Sequence, residues 1–249
     1  MEVWATMDDP FTYLARLTMP KLVVNAGLDE FQMPEDSHHW WSTLPEPKHF
    51  LMTPNADHSE ATGLLEIIPA MGTWMRYLLQ QRKVPTFSWD IDSVDGTITA
   101  VLDSIPQHRV YEASVWYAYS CGVNPDGIQR RDFRLVSLDV PCDCGKHGYD
   151  GYCVNLKSGW TRVLLNETVS TNGKRTYVAH VDAPGDGRYV AYLIDLKYDT
   201  QPPVTGREDL MGVPTDLPGR LEFTTEVSIF PNTYPYEDCE GSGCRGTLV

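Results

Sequence analysis

The chain has no excess of positive charge and no long uninterrupted run of apolar residues. Its 34 aspartates and glutamates outnumber its 20 lysines and arginines, which gives a formal net charge of −14 at pH 7. Because nucleic acids and anionic membrane surfaces select basic patches, we expect neither as a main partner. Because no apolar run approaches the length that spans a bilayer, we also expect no transmembrane segment.

Cysteine is absent from the first 120 residues, and all six cysteines follow in loop-like sequence. They are Cys121, Cys142, Cys144, Cys153, Cys239 and Cys244. An even number in such sequence predicts disulfides, which form in an oxidising compartment. A zinc site is the alternative, but these cysteines lack the paired spacing that tetrahedral zinc prefers, and His147 alone does not supply it. The pairing stays open, because spacing does not determine connectivity.

We also expect no export signal within these residues, since the first of them contain neither a basic segment nor an apolar one. The triplet Asn166-Glu-Thr168 is nevertheless an N-glycosylation sequon, which together with the cysteines favours a secreted, extracellular glycoprotein. Because the cysteines and the sequon indicate an extracellular protein but no export signal accompanies them, we expect that the chain is the C-terminal fragment of a longer secreted protein.

Residues 1–83 have the pattern of an α/β protein. Two short apolar runs, Lys21–Asn25 and Lys48–Thr53, are typical of strands buried in a parallel sheet. A helix is predicted over 34–44, where a proline suits the first helical position, and a second, amphipathic helix over 60–83. Strands and helices that alternate with short links predict an α/β fold.

The helical period disappears after Val84-Pro85, and alternating β-rich segments follow. We predict strands over 86–92, 97–103, 110–119, 132–138, 160–168, 175–182, 187–198 and 221–230. Strands separated by turns alone indicate an antiparallel β-sandwich of immunoglobulin or fibronectin type III character over 85–231. Residues 199–219 are predicted to form a long loop with a binding role, and residues 232–249 a cysteine-containing tail.

Two residues that suit acid–base chemistry follow the two strands predicted in the first part. Asp29 lies in the turn after the first strand, and His58 lies in the loop after the second. Open α/β sheets place their sites at the carboxyl ends of the strands. An acid followed by a histidine on such loops is the arrangement in which a carboxylate orients the imidazole and stabilises its protonated form. We therefore predict that Asp29 and His58 form a catalytic pair.

The nucleophile that such a pair serves is missing from the sequence. The chain order serine, acid, histidine places the nucleophile upstream of Asp29, but no Gly-x-Ser-x-Gly sequence occurs anywhere in the chain. The hydroxyls before Asp29 belong to Thr6, Thr12, Tyr13 and Thr18, and none lies in a glycine-flanked turn. The sequence therefore predicts an acid–histidine pair that is inactive by itself.

Each of these residues also has a plainer interpretation. Asp29 is equally typical of a turn or helix N-cap, and His58 of a loop histidine with ordinary partners. Glu30 and Asp57 are rival carboxylates, although Asp57 adjoins His58 and is poorly placed to reach its ring. The run His38–Trp41 suggests a metal or cofactor site, but consecutive residues point to different helix faces, which favours core and surface roles. We expect no cofactor and no metal.

Several of these segments resemble the PhoPQ-activated pathogenicity-related proteins, a family that includes the autocrine proliferation repressor proteins of eukaryotes. The resemblance rests on Asp9-Pro10-Phe-Thr-Tyr13, Asn25, Asp29-Glu-Phe31, Pro34-x-Asp36-Ser and Pro54-Asn-Ala-Asp-His58-Ser, and more loosely on Gly187–Tyr192. It implies a secreted α/β-hydrolase fold with Asp29 and His58 at the acid and base positions. The chain departs from the family by lacking the serine-bearing half that precedes Asp9-Pro10.

The expected architecture is thus the C-terminal half of an α/β-hydrolase fold over 1–83, followed by the immunoglobulin-like or fibronectin III-like β-sandwich. Two functions fit it. One is an esterase or peptidase that acts on a small ester or peptide and is complete only in a longer protein. The other is a non-catalytic secreted signalling or proliferation-repressor protein that binds a cell-surface or extracellular protein partner.

Overall fold

The computed structural model describes residue 7 and residues 9–103, 108–138, 142–148, 151–169, 174–200, 208–210, 213–215 and 219–234. These residues form mostly β-sheet, with several antiparallel sheets, one parallel pair of strands and one long α-helix. The prediction that the chain is rich in β-structure is confirmed. Among the residues just given, no helix combines the length and the apolar character that crossing a membrane requires.

The elements are numbered in chain order. The first strands are β1 (Lys21–Ala26), β2 (Lys48–Thr53), β3 (Phe87–Ile91), β4 (Ile98–Leu102), β5 (Val110–Tyr119), β6 (Val136–Ser137), β7 (Lys146–His147) and β8 (Cys153–Val154). The later strands are β9 (Thr161–Leu164), β10 (Thr168–Val169), β11 (Arg175–Ala179), β12 (Val190–Tyr198), β13 (Glu208–Leu210), β14 (Val213–Thr215), β15 (Leu221–Thr224) and β16 (Ser228–Phe230). Helix α1 covers Leu64–Leu79, and short 3₁₀ helices cover Pro10–Arg16, Asp36–His39, Trp41–Thr43, Ala61–Gly63 and Leu156–Ser158.

Strands β1 and β2 lie side by side and parallel, with Lys21 opposite Lys48 and Ala26 opposite Thr53. Their bounds agree with the two apolar runs of the sequence. Strand β2 is buried from His49 onward, whereas β1 is half-buried along most of its length, so the expected burial holds for β2 and not for β1. Because the strands are parallel, the turns that follow them emerge at the same edge.

Helix α1 begins later than the predicted helix and buries only part of the predicted apolar face. Ile68 and Trp74, which recur at the three- and four-residue spacing of that face, are buried, but Leu65 and Leu79, which follow the same spacing, are 72% and 81% exposed. Apolar residues surround most of this helix, so their spacing alone does not identify the buried side. The packing of α1 against β13 and β15 determines it.

The regular helix predicted over 34–44 is wrong. The structure instead has two short 3₁₀ helices, Asp36–His39 and Trp41–Thr43. The Trp41 side chain is buried, and its ring centroid lies 5.6 Å from that of Trp89 on β3. The packing of this ring against a distant strand accounts for the interruption, because tertiary contacts override a local helical preference.

Two antiparallel sheets share one apolar core. One sheet has the order β10-β11-β4-β3, and the other has the order β15-β12-β5-β9 with β16 also paired to β12. Ile98 and Ala100 of the first sheet belong to the same buried cluster as Tyr192 and Ile194 of the second. The core therefore lies between the two sheets.

Strand β12 has an apolar core on each of its faces. Ile194 belongs to the cluster between the two antiparallel sheets, whereas its neighbour Leu193 belongs to a second cluster with Phe50 of β2 and with Trp160. Successive side chains of a strand point to opposite faces. This arrangement explains why every residue from Val190 to Leu196 is buried, without the usual alternation of polar and apolar positions.

The structure contains two disulfides, Cys121–Cys144 and Cys142–Cys153, with Cα atoms 5.6 Å and 5.4 Å apart. The prediction of disulfides is confirmed for these four cysteines. These four cysteines cannot bind zinc, because zinc requires thiolates and their sulfur atoms are bonded to each other in disulfides. The remaining predicted disulfide residues, Cys239 and Cys244, lie outside the described residues, as does the tail from residue 235 onward.

The long loop predicted over 199–219 contains a pair of strands. Strand β13 pairs antiparallel with β14, and Leu210 lies opposite Val213. The glycines and prolines of this region suggested a loop, but a hairpin needs turn residues of the same kind. The rest of this stretch, apart from residues 199, 200 and 219, lies outside the described residues.

A buried ion pair joins the segment after β1 to the segment between β5 and β6. Nε of Arg131 donates to Oε1 of Glu35 at 2.9 Å, and the two side chains are only 6% and 8% exposed. The same guanidinium donates to the carbonyls of Pro231 and Thr233 at 3.2 Å and 3.1 Å. Three separate parts of the chain therefore meet at one side chain.

We predict that Arg131→Ala lowers the free energy of unfolding by about 3 kcal/mol, because it leaves the Glu35 carboxylate buried without its partner. Denaturant unfolding followed by tryptophan fluorescence measures the change. The matched control is Arg188→Ala, which removes an ion pair with Asp186 whose side chains are 32% and 53% exposed. Water screens that pair, so the control has a much smaller effect. Equal losses for the two variants contradict the prediction.

Candidate active site

Asp29 lies in the turn that follows β1, and backbone groups hold its carboxylate. Oδ1 accepts the N–H groups of Phe31 at 2.7 Å and Gln32 at 3.0 Å. Through these bonds Asp29 caps its turn, which is the plainer interpretation that the sequence also allows for this residue. The side chain is 11% exposed, so little water competes for the carboxylate.

His58 lies in the loop that follows β2, and its ring contacts the same carboxylate. Nδ1 lies 3.0 Å from Oδ2 and 3.1 Å from Oδ1 of Asp29. The structure thus brings together the two residues that the sequence singled out, 29 positions apart. Asp29 caps its turn and also binds the ring, so its two interpretations do not exclude each other.

The contact with Asp29 determines which nitrogen of the ring is available. Because an ionised carboxylate accepts hydrogen bonds, Nδ1 carries the proton in the neutral ring and Nε2 holds the lone pair. The His58 side chain is 52% exposed, and the described residues provide no hydrogen bond to Nε2. The hydrogen bond to Asp29 and its negative charge raise the pKa of His58. The ring is therefore arranged as a base that opens toward solvent.

Two neighbours of Asp29 hold the loop that carries His58. The carboxylate of Glu30 accepts the backbone N–H of His58 at 3.0 Å. The ring of Phe31 meets the imidazole edge-on, with 4.6 Å between the ring centroids. Glu30 is thus a support for the loop rather than a rival partner of the ring. Asp57, the other rival, accepts the hydroxyl of Ser59 at 2.7 Å.

The two turns are joined through their backbones. The N–H of Gly27 donates to the carbonyl of Thr53, and that of Leu28 donates to Ala56, both at 2.9 Å. The turns approach so closely that a Cβ at Gly27 would collide with the carbonyl oxygen of Pro54 and lie 2.9 Å from its Cα. Glycine at this position allows the acid and the histidine to come within hydrogen-bonding distance.

Trp160, which belongs to the β-rich part of the chain, joins both turns to that part. Its indole N–H donates to the carbonyl of Gly27 at 3.1 Å. Its backbone N–H donates to Oδ1 of Asn55 at 2.8 Å, and its carbonyl accepts from Nδ2 of Asn55 at 3.1 Å. We call the contacts of Trp160 with Gly27 and Asn55 the Trp160 bracket. One residue, through its side chain and its backbone, thus fixes the turn of Asp29 and the loop of His58 together.

Glu60 is a second acidic residue beside the pair. Its backbone has the left-handed value φ 56°, which is uncommon for a residue other than glycine. Its Oε2 atom is buried and has no hydrogen-bond partner among the described residues. Burial first, and the nearby charges of Asp29 and Asp57, raise the pKa of Glu60 to about 7. Glu60 therefore changes charge near neutral pH.

Other groups in the chain have metal-binding atoms. The ligand atoms of Glu66, Asp195 and Glu222 lie within 4.8 Å of one another, and oxygen ligands of this kind suit hard cations. However, Nζ of Lys197 already lies 3.5 Å from Glu222 and 3.7 Å from Asp195. These carboxylates thus have an internal cation against them.

The run His38–Trp41 divides between surface and core, as its plainer interpretation expects. Nδ1 of His38 bonds the carbonyl of Glu35 at 2.6 Å, and His39 is exposed. The ring of Trp41 is buried in the cluster between β2 and the antiparallel sheet that contains β5 and β12. Elsewhere, the predicted glycosylation residue Asn166 lies on the surface after β9. Its glycosylation stays a prediction.

Known proteins share parts of this sequence. The family described as PhoPQ-activated pathogenicity-related protein matches residues 1–134. Autocrine proliferation repressor protein A from Dictyostelium discoideum is 27% identical, over 97% of this chain and 45% of that protein, so the chain spans less than half of that relative's length. A solved structure, a copper-bound E46Q variant of FetP from uropathogenic Escherichia coli strain F11, is 10% identical and covers 66% of this chain and 98% of its own. Its TM-score of 0.17 is too low to indicate a shared fold.

We predict that Asp29→Asn lowers the pKa of His58 toward its ordinary value, since the charge is lost while an acceptor for Phe31 and Gln32 remains. NMR titration of the histidine ring protons measures the pKa. A raised histidine pKa adds stability below about pH 6.5, and this stability is lost as pH rises through the folded-state pKa. The stability difference from the parent chain should therefore be largest in acid and shrink in alkali. Asp57→Asn is the control, and an equal shift there contradicts the prediction.

We also predict that Glu60→Gln stabilises the protein by about 2 kcal/mol near pH 8 and has little effect near pH 4. A folded-state pKa of about 7, against an ordinary 4.5, means that ionising Glu60 costs stability as pH rises between those values. Thermal unfolding at the two pH values tests this. A uniform effect of Glu60→Gln at both would show that the carboxyl is not the cause.

Proposed function

Because this chain belongs to the PhoPQ-activated pathogenicity-related protein family, we propose that Asp29 and His58 are the acid and the base of a serine-hydrolase-type site. The observation that carries the proposal is the hydrogen bond of 3.0 Å between Nδ1 of His58 and the Asp29 carboxylate. It leaves Nε2 toward solvent, where a nucleophile is expected in an acid–histidine–serine arrangement.

In the proposed reaction, Nε2 of His58 takes the proton of a serine hydroxyl while the serine oxygen bonds to the carbonyl carbon of a small ester or peptide. Asp29 stabilises the imidazolium that forms. His58 then gives the proton to the leaving alcohol or amine as its bond to the carbonyl carbon breaks. Water releases the acyl group by the same steps.

The serine in this proposal comes from a polypeptide segment that the 249 residues do not include. The Dictyostelium relative, of which this chain covers 45%, is long enough to hold such a segment. On this proposal, the chain is the C-terminal part of the enzyme and is inactive without the other part.

We further propose that residues 1–83 belong to an α/β-hydrolase domain, that 85–231 form an immunoglobulin-like or fibronectin III-like sandwich, and that 232–249 are a tail. The parallel pairing of β1 with β2, and the position of Asp29 and His58 at their carboxyl ends, support the first part. The two antiparallel sheets with a common core support the second. The disulfides and the exposed Asn166 support an extracellular location.

A second candidate function is that of a non-catalytic secreted protein of proliferation-repressor type that binds a cell-surface partner. The similarity to the Dictyostelium repressor favours it, because it extends over 97% of the chain and so well beyond residues 1–134. On this proposal the β-rich part is the recognition surface, and His58 has no chemical role.

The hydrolase proposal is tested in a chain extended to the length of the relative, with p-nitrophenyl acetate as the substrate. We expect His58→Ala to lower kcat/KM by about a thousandfold or more, because the base is lost. The matched control is His180→Ala, since His180 forms the other exposed histidine–aspartate contact of the described residues, at 3.3 Å from Asp182. It should retain full activity.

The same variants separate the two candidates. If the extended parent chain hydrolyses no ester or peptide, or if His58→Ala retains its activity, the hydrolase proposal is wrong. Growth repression that survives His58→Ala in a folded protein, without measurable hydrolysis by the parent, supports the signalling candidate instead.

A further inference from the structure

A cavity of about 540 Å³ lies where β2, β3 and the end of β15 meet. Its lining includes the first half of β2, from Lys48 to Phe50, and the segment from Thr86 to Trp89. His58 follows the opposite end of β2, which the length of the strand alone places roughly 13 Å from His49. The cavity is therefore separate from the Asp29–His58 pair.

Aromatic rings form one wall of this cavity. Trp41 stacks on Trp89 with 5.6 Å between ring centroids, and Phe87 lies 5.3 Å from Trp89. Phe87 and Trp89 are half-buried, so part of each ring stays accessible. The faces of such rings attract cations. The chain itself gives an example here, because Nζ of Lys48 lies 4.7 Å from the centroid of the Trp41 ring.

Carboxylates outnumber cations in the lining. Among the described residues that form it, Glu46, Asp103 and Glu226 carry negative charge and Lys48 alone carries positive charge. The Lys48 ammonium already donates to the backbone carbonyls of Trp41 and Leu44. Burial raises the pKa of Glu226, although the hydrogen bonds from Ser37 and Trp89 and the nearby Lys48 lower it. The electrostatics of the cavity therefore favour a cation.

His49 adds no positive charge to the lining. It is 8% exposed, and its Nε2 lies 3.2 Å from the carbonyl of Pro85, to which it donates. Its Nδ1 atom is buried as well, so it offers no acceptor to the cavity. Burial lowers the pKa of His49 to about 4, so the ring is neutral at pH 7. The carboxylates are therefore the groups of the lining that the N–H donors of a ligand would meet.

We propose that this cavity binds an organic cation, an ammonium or guanidinium group on a short hydrocarbon stem. The cation lies against the accessible faces of Phe87 and Trp89. Its N–H groups donate to Asp103 and Glu226, which are held by the Thr86 hydroxyl and by the indole N–H of Trp89. A free amine and the basic side chain of a peptide share this chemistry.

Isothermal titration of the intact chain tests the proposal with four probes. Agmatine is the free cation, acetyl-Gly-Arg-Gly-amide is the peptide form, N-butylurea is a neutral analogue, and methyl β-glucoside is a neutral polyol. We expect agmatine, which carries a guanidinium and an ammonium group, to bind at least about tenfold more tightly than N-butylurea, because the neutral analogue has neither charge to strengthen its hydrogen bonds. Tighter binding of the peptide than of agmatine assigns the site to a basic side chain, and the reverse assigns it to a free amine.

Variants locate the binding. Asp103→Asn and Glu226→Gln should each weaken agmatine binding by about tenfold. Asp103 is exposed, so its variant tests the charge without removing a buried contact. The control Asp182→Asn removes the same charge from a side chain that is 97% exposed and does not line the cavity. The proposal is overturned if no cationic probe binds, if a neutral probe binds as tightly as agmatine, or if Asp182→Asn weakens binding as much as Asp103→Asn.

Discussion

The Trp160 bracket is the contact on which the geometry of the candidate site depends. Parallel strands bring the turns of Asp29 and His58 to one edge, but a two-stranded sheet does not by itself hold loops in place. The hydrogen bonds of Trp160 to Gly27 and Asn55 connect both turns to a residue that is 5% exposed in the core. The antiparallel sheets therefore hold the acid and the histidine in position.

The sequence revealed the pair but not what supports it. Asp29 and His58 each follow a short apolar run, and that local pattern predicts strands, their ends and the loops after them. The contact between Trp160 and Asn55 spans 105 residues, and no periodicity or spacing encodes it. Glu30 is a rival acid in the sequence, because composition does not show whether a carboxylate meets a ring or a backbone N–H.

The fold was predictable where a pattern has one physical solution. The bounds of strand β12 agree closely with the strand predicted over 187–198, since a long β-branched and aromatic run after a turn suits a central strand. The prediction of a regular helix over 34–44 is wrong because the Trp41 ring packs against β3, and the local sequence pattern does not encode this contact. The buried face of α1 was predictable only in part, since apolar residues surround most of that helix. Long-range packing decided both cases.

The two disulfides interleave along the chain, because Cys142 lies within the loop closed by Cys121 and Cys144 while its partner Cys153 lies beyond it. A protease that cuts anywhere between Cys121 and Cys153 therefore leaves the two pieces covalently joined through at least one bridge. Trp160 follows Cys153 by seven residues, so the bridges keep it covalently joined to the strands that precede the cut. The two pieces of a nicked molecule would separate only after a reductant opened the bridges as well.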